Sequence, residues 1–237
     1  MPTLFEQLSE DIRFVEGLKS CMNCGICTAI CPAAEFYNYD PRILIDTVQS
    51  RDEEKLQALL RSETIWYCGQ CMSCKTRCPR GNVPGLIIMA LRYLSQKLGC
   101  FTDSEKGRQQ FAIKRTVGDN ILKYGYCIYP DNIIPEMHPE QGPVWEWIHQ
   151  HLPEIYDRFE GNYKKEGPGV FRKLSEETLD ELQKIFDQTG GQHLYDCIET
   201  FSKQKAQEMN IQFGVGIEND YFKHTYSYNS GKHHRDA

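Results

Sequence analysis

One cysteine spacing occurs twice in this chain and narrows what it can become. Cys21, Cys24, Cys27 and Cys31-Pro32 are separated by two, two and three residues, and Cys68, Cys71, Cys74 and Cys78-Pro79 repeat those gaps. Three thiolates two residues apart on a tight loop can wrap three irons of one cubane while the fourth points away. In chains with two such runs the fourth cysteine ligates the other cluster. The spacing therefore predicts two [4Fe–4S] clusters, one on Cys21, Cys24, Cys27 and Cys78, the other on Cys68, Cys71, Cys74 and Cys31. Gly25 and Gly69 are expected to let the loops approach the clusters, and Pro32 and Pro79 to turn the chain away after the exchanged ligand. Structural zinc is the weaker reading, because its four-ligand knuckles need neither a third cysteine after a second two-residue gap nor the trailing proline.

Composition narrows the setting. The chain has 237 residues, 40% of them hydrophobic, enough to bury a core without staples. Its longest apolar stretch, Leu86 to Leu91, is cut by Arg92, so no spanning helix is expected. The N-terminus MPTLFEQLSEDIRF lacks a basic region and a small-residue cleavage site, so no secretory signal is expected and the chain is placed in the cytoplasm. In a reducing compartment eleven cysteines point to metal or redox chemistry rather than disulfides. A net charge of −6 argues against nucleic acid and for protein partners.

The pattern between and beyond the cysteine runs predicts a mainly α fold. Leu4, Leu8, Ile12 and Val15 predict a leading helix, with Thr3 and Glu6 as its capping box. Asp40-Pro41 predicts an N-cap with proline at the first helical position, and Ser50 with Glu53 a second capping box before Leu56, Leu59 and Leu60. Pro84 opens a helix with the face Ile87, Leu91, Leu94 and Leu98 and a stop at Gly99. A helix over 104–124 stops near Gly125. Pro135, Pro139 and Pro143 mark an extended connection, and further helices are expected over 143–159, 175–188 and 192–208 before a polar, aromatic tail. The boundary falls at 127/128: a dicluster domain over 1–127 and a helical extension over 128–237, with partner docking expected from Trp145, Trp147, Tyr156 and Phe159. Those four are equally compatible with a small local core.

Lys75, Arg77 and Arg80 flank the second run as a solvated or docking face, or as cations that tune a nearby cluster. Cys100, Cys127 and Cys197 are expected to be small buried hydrophobes. His233 and His234 are expected in a mobile tail. Gly214-Val215-Gly216 lacks the third glycine of a dinucleotide fingerprint, and no P-loop, nucleophile elbow or catalytic acid pair occurs. No catalytic residue is therefore assigned, and both electron donor and acceptor are expected on partners.

The leading helix, the two runs with their helical insert, and Arg80-Gly81-Asn82-Val83-Pro84-Gly85 running into a helix resemble the C-type subunits of heterodisulfide reductase. This resemblance covers about the first half of the chain and implies an alpha-helical ferredoxin-like dicluster domain with the eight cysteines as ligands. It further implies an electron-transfer protein that relays between a flavin-containing A-type subunit and a B-type subunit bearing Cys-Cys-Gly motifs, none of which occurs here. The long region after Pro130 looks more like the C-type subunits of the heterodisulfide reductase-like complex of sulfur oxidisers, which implies sulfur metabolism. Iron–sulfur subunits of succinate or fumarate oxidoreductases share the helical dicluster fold but carry an N-terminal [2Fe–2S] domain for which no room is expected. A dicluster sensor or scaffold is the non-enzymatic alternative.

Overall fold

The computed structural model describes residues 2–138 and 141–227, and among these the fold is mainly α-helical with no strand. The first half contributes α1 (Leu4–Ser9), α2 (Ile12–Gly17), α3 (Ile26–Ala29), α4 (Pro32–Phe36), α5 (Pro41–Ser50), α6 (Glu53–Arg61) and α7 (Pro84–Lys97). The leading helix is two helices, not one. Thr3 and Glu6 form the expected capping box, but Asp11 turns the chain and caps α2 by accepting from the Arg13 N–H. The turn rotates the register, so Leu8 and Phe14 enter the core while Ile12 and Val15 stay exposed.

Asp40 caps α5 with Pro41 at the first turn, as expected, accepting from the Arg42 and Ile43 amides. The cap of α6 is Asp52 rather than Ser50. Ser50 ends α5, its hydroxyl donating to the Thr47 carbonyl, and Arg51 in the left-handed region, at φ 53°, separates the helices. The carboxylate of Asp52 then sits in the position to accept from Glu54 and Lys55.

Helix α7 is the centre of the molecule and packs against α1, α2, α5 and α6. Ile87, Ile88, Leu91 and Leu94 are buried on it, whereas Leu98 is partly exposed. Gly99 terminates it at φ 77°, a conformation that costs glycine little. Gly17 allows α2 to approach, since a Cβ there would meet Ile87 and Leu86 at 3.0 and 3.1 Å.

The predicted 104–124 helix is α8 (Glu105–Ile113) and α9 (Asp119–Tyr124) joined by a π-helical segment, Lys114–Gly118, and it ends at Gly125 in the left-handed region. The extension holds α10 (Gly142–Gln150), α11 (Leu152–Arg158), α12 (Glu176–Gln188), α13 (Gly191–Glu208) and α14 (Asp220–Ser227). Pro153 at the start of α11 divides the expected 143–159 helix. Pro139, His233 and His234 lie outside the described residues.

The apolar core runs across residue 127. Ile198, Ala206, Tyr221 and Phe222 belong to the same buried cluster as Leu91, Phe101 and Phe111. The segment after Asn210 is thus not a tail up to Ser227: Phe213 and Tyr221 pack their rings on Phe111, each at 5.3 Å. Charged contacts fasten this return, among them Lys205 with Asp103 at 3.3 Å and a joint at Arg115. Arg115 donates to both carboxylate oxygens of Glu199 at 2.6 Å and to the carbonyls of Gly214 and Gly216. A second, smaller cluster forms from Tyr129, Leu152 and Tyr163, with Tyr126, Tyr156 and Phe171 against it. Of the aromatic stretch, Tyr156 therefore serves a local core, while Trp147 and Phe159 are 53% and 78% exposed.

Candidate metal centre

The two cysteine runs begin as loops of the same shape, although only the first goes on into a helix, α3. The second residue after the first cysteine is left-handed in both, Asn23 at φ 60° and Gln70 at φ 54°, and so is the fourth, Gly25 at φ 76° and Met72 at φ 59°. In each loop the amide of that second residue donates to the first cysteine, from Asn23 to Cys21 Sγ and from Gln70 to Cys68 Sγ, both at 3.4 Å. Gly25 thus meets a backbone requirement. Gly69 does not, because its φ is not positive, and the position matching Gly25 in the second loop is Met72.

The thiols gather in two cavities that cross the runs. One is lined by Cys21, Cys24, Cys27 and Cys78, with Arg42, Ile45, Arg80 and Asn82 on its wall. The other is lined by Cys31, Cys68, Cys71 and Cys74, with Tyr39, Met72, Gly85 and Ile88. Pro32 begins α4 directly after Cys31, and Pro84 at the start of α7 borders both cavities. Gly85 is a close approach: a Cβ there would meet the Met72 sulfur at 2.8 Å and come within 4.0 Å of Cys74 Sγ.

Electrostatics differ between the two. Burial pushes the Cys27 and Cys74 thiols up, whereas hydrogen bonding to Ser73 draws Cys71 down. A metal held in these cavities would have to displace such protons, because the thiolate is the ligand form. Arg80, from the second run, lines the cavity of the first and donates to the Ser20 carbonyl. Lys75 and Arg77 are exposed. The cation that supports the second loop is Arg92, which in the sequence only interrupts an apolar stretch. It donates to the carbonyls of Ile65 and Cys68, both at 2.7 Å, and lies over the Trp66 ring. A lone arginine on the most buried helix was the signal that could have found it.

The residues present fit a sulfur-rich group in each cavity. Four soft thiol donors converge on each. Each also has one buried polar atom without an oxygen or nitrogen partner: the Tyr39 hydroxyl, which meets only the Cys68 sulfur, at the second cavity and Asn82 Nδ2 at the first. Of the remaining cysteines, Cys100 is buried as expected, Cys197 is half-buried and Cys127 is exposed. Cys127 follows the end of α9 and never reaches the core.

The helical scaffold and the paired loops define the chain as a dicluster iron–sulfur protein, and residues 17–82, which include all eight of these cysteines, match the family of the 4Fe-4S dicluster domain. The chain is 32% identical over 212 residues to the C-type subunit of ferredoxin:CoB-CoM heterodisulfide reductase of Methanosarcina acetivorans, covering 89% of this chain and 76% of that one. It is 30% identical over 153 residues to the second C-type iron-sulfur subunit of CoB–CoM heterodisulfide reductase of Methanocaldococcus jannaschii, covering 62% of this chain and 74% of the relative. The chain belongs to the family of heterodisulfide reductase C-type subunits. It is an iron–sulfur electron-transfer protein with two [4Fe–4S] clusters, and it works with partner subunits in an oxidoreductase complex. The first of these matches extends well past residue 127, so the length of the extension does not separate this chain from methanogen proteins. No helix among the described residues is long and apolar enough to cross a membrane.

Proposed function

We propose that Cys21, Cys24, Cys27 and Cys78 ligate one cluster and Cys68, Cys71, Cys74 and Cys31 the other, and that this chain is a relay with no catalytic site of its own. The observation that supports the ligand sets is the crossing of the runs: three thiols of one loop share a cavity with the fourth of the other. A bound [4Fe–4S] cluster supplies one-electron transfer. The chain's part is to saturate the iron with thiolates, leaving no open position for substrate, and to hold the two cavities side by side across Pro84. The names of the relatives specify a CoB-CoM heterodisulfide, so the reading extends to a thiol/disulfide couple handled by a B-type partner with Cys-Cys-Gly motifs. An A-type flavoprotein is the other terminus, and the complex works in the cytoplasm.

The ligand sets have a direct test. The purified anaerobic protein is expected to hold about eight irons and eight sulfides, four of each per cluster. Cys31→Ser is expected to alter the same paramagnetic signal as Cys71→Ser and to spare the one altered by Cys24→Ser. If the Cys31 and Cys24 variants share a signal, the crossed sets are wrong.

We also propose that the extension docks a partner through the exposed rings. Trp147, Phe159 and the neighbouring Val144 present apolar surface, and buried aromatic anchors dominate many interfaces. Truncation at residue 127 would be a poor test, since it would strip Ile198, Tyr221 and Phe222 from the core. The double variant Trp147→Ala, Phe159→Ala is expected to keep both clusters and its melting behaviour but to weaken assembly at least about tenfold, as loss of even a modest anchor does. Unchanged assembly on a biosensor surface would remove the docking role.

A further inference from the structure

Two buried donors stand at the cysteine cavities with no oxygen or nitrogen acceptor. Tyr39 is 4% exposed and Asn82 is 2% exposed, so both side chains are held inside the protein. The Tyr39 hydroxyl has no partner other than the Cys68 sulfur, and Asn82 Nδ2 has none. A buried donor left unpaired carries its full desolvation penalty, so Asn82 Nδ2 calls for an acceptor in its cavity, and the Tyr39 hydroxyl is already turned toward sulfur in the other. Tyr39 lines the cavity of Cys31, Cys68, Cys71 and Cys74, and both Cys31 and Cys68 lie near enough to act on its phenol. Asn82 lines the cavity of Cys21, Cys24, Cys27 and Cys78. Its other amide atom, Oδ1, accepts from the Lys19 amide at 2.7 Å, which fixes the side-chain plane and leaves Nδ2 as the end directed elsewhere.

We propose that Tyr39 and Asn82 are positioning residues that each donate a hydrogen bond to sulfur of one bound cluster, Tyr39 to the cluster on Cys68, Cys71, Cys74 and Cys31, and Asn82 to the cluster on Cys21, Cys24, Cys27 and Cys78. A donor to cluster or cysteine sulfur stabilises the reduced, more negative form more than the oxidised form. It therefore raises the reduction potential. The arrangement gives each cluster its own adjustable donor on a rigid support: Tyr39 immediately precedes the capped start of α5, and Asn82 bridges the chain before Cys21 to the approach of α7. Arg92 does not duplicate this role, because its guanidinium donates to the backbone carbonyls of Ile65 and Cys68.

The inference rests on the ligand sets proposed above, which Cys31→Ser tests independently. Its own test is a redox titration of the holoprotein followed by electron paramagnetic resonance, with the signals assigned from Cys24→Ser and Cys71→Ser. Tyr39→Phe is expected to make reduction of the Cys71 cluster about tenfold less favourable, a fall of about 59 mV for a one-electron couple, with the other potential unmoved. Asn82→Asp and Asn82→Ser are expected to lower only the Cys24 cluster. Difluorotyrosine at position 39, a stronger donor of nearly the same size, should raise the potential that Tyr39→Phe lowers. It decides the matter if the phenylalanine variant takes up no iron. Unchanged potentials in the loaded Tyr39 variants, or a shift of the wrong cluster, would overturn the Tyr39 assignment. For Asn82, unchanged potentials, or selective failure of both variants to load that cluster, would reduce it to a support for Lys19 and overturn its half of the proposal.

Discussion

Cys24→Ser and Cys71→Ser, each introduced into the assembled complex, are expected to abolish electron transfer between the thiol-bearing partner and the flavin. The two cysteines line different cavities, and one is expected to act on each cluster. If the clusters stand in series between two outside redox centres, losing either one interrupts the path as completely as losing both. Serine is close to cysteine in size, and both positions are exposed, so neither change should disturb the core. The partner should still bind its substrate, and the isolated wild-type chain should accept electrons from a strong artificial donor without reducing a disulfide. Stopped-flow reduction of the flavin is the measurement. Unchanged flavin reduction in either variant would mean that electrons bypass this protein, and the relay would have to be abandoned.

A second pronounced effect is expected far from the clusters. Arg115→Met should loosen α13 and α14 from the body of the protein. The Arg115 side chain is 8% exposed and satisfies Glu199 together with two backbone carbonyls. Methionine would fill much of the space but leave a partly buried carboxylate with only Lys114 beside it. Removing one partner of a buried pair costs about 3–5 kcal/mol. Because Glu199 keeps some solvent and a second cation, the lower end, about 3 kcal/mol, is expected. That corresponds to roughly a hundredfold faster opening-limited hydrogen exchange in the amides around Ile198, Ser202 and Phe222. Exchange near Leu44 and Val48, in the shared core but away from this joint, should change much less.

The same joint has a pH signature. Burial pushes the Glu199 carboxyl up, but hydrogen bonds from Arg115 and Lys114 outweigh it and hold the group below its ordinary value of 4.5. A carboxylate depressed in the folded state contributes stability that is present above its unfolded value and lost as pH falls through the folded one. Protection of α13 should therefore weaken below pH 4.5 in the wild type, read by pulse labelling before acid reaches the clusters. In Arg115→Met that dependence should be reduced. Equal pH dependence in both proteins would show that Glu199 does not fasten the extension.

Much of the helical pattern was legible because it depends on neighbours in the chain. The capping box of Thr3 and Glu6, the Asp40-Pro41 start and the stop at Gly99 all formed where the residues predict them. The departures arose where a local pattern had more than one solution. Ile12 and Val15 continue the period of Leu4 and Leu8, yet the Asp11 turn exposes them. Ser50 matches a capping box, yet Asp52 stands two residues later with a stronger acceptor at the right place. Phe213 and Tyr221 resemble part of a tail because their ring partner, Phe111, lies about a hundred residues earlier.

The chemistry of the site was already written in its cysteines. Eight of them in two identical spacings define how many thiols each loop offers, since the spacing of ligands on a tight turn is a property of the local backbone. The surroundings of those thiols came from packing alone. Arg80 stands next to Cys78 and Pro79 in the second run, but the fold lays it on the cavity of Cys21, Cys24 and Cys27. Arg92 comes from the middle of α7 to hold the Cys68 carbonyl. Tyr39 and Asn82, unremarkable in the sequence, bring buried donors to opposite cavities. The difference is physical: a turn's shape is set by residues a few positions apart, whereas charge and hydrogen bonding at a site depend on which helices are packed beside it.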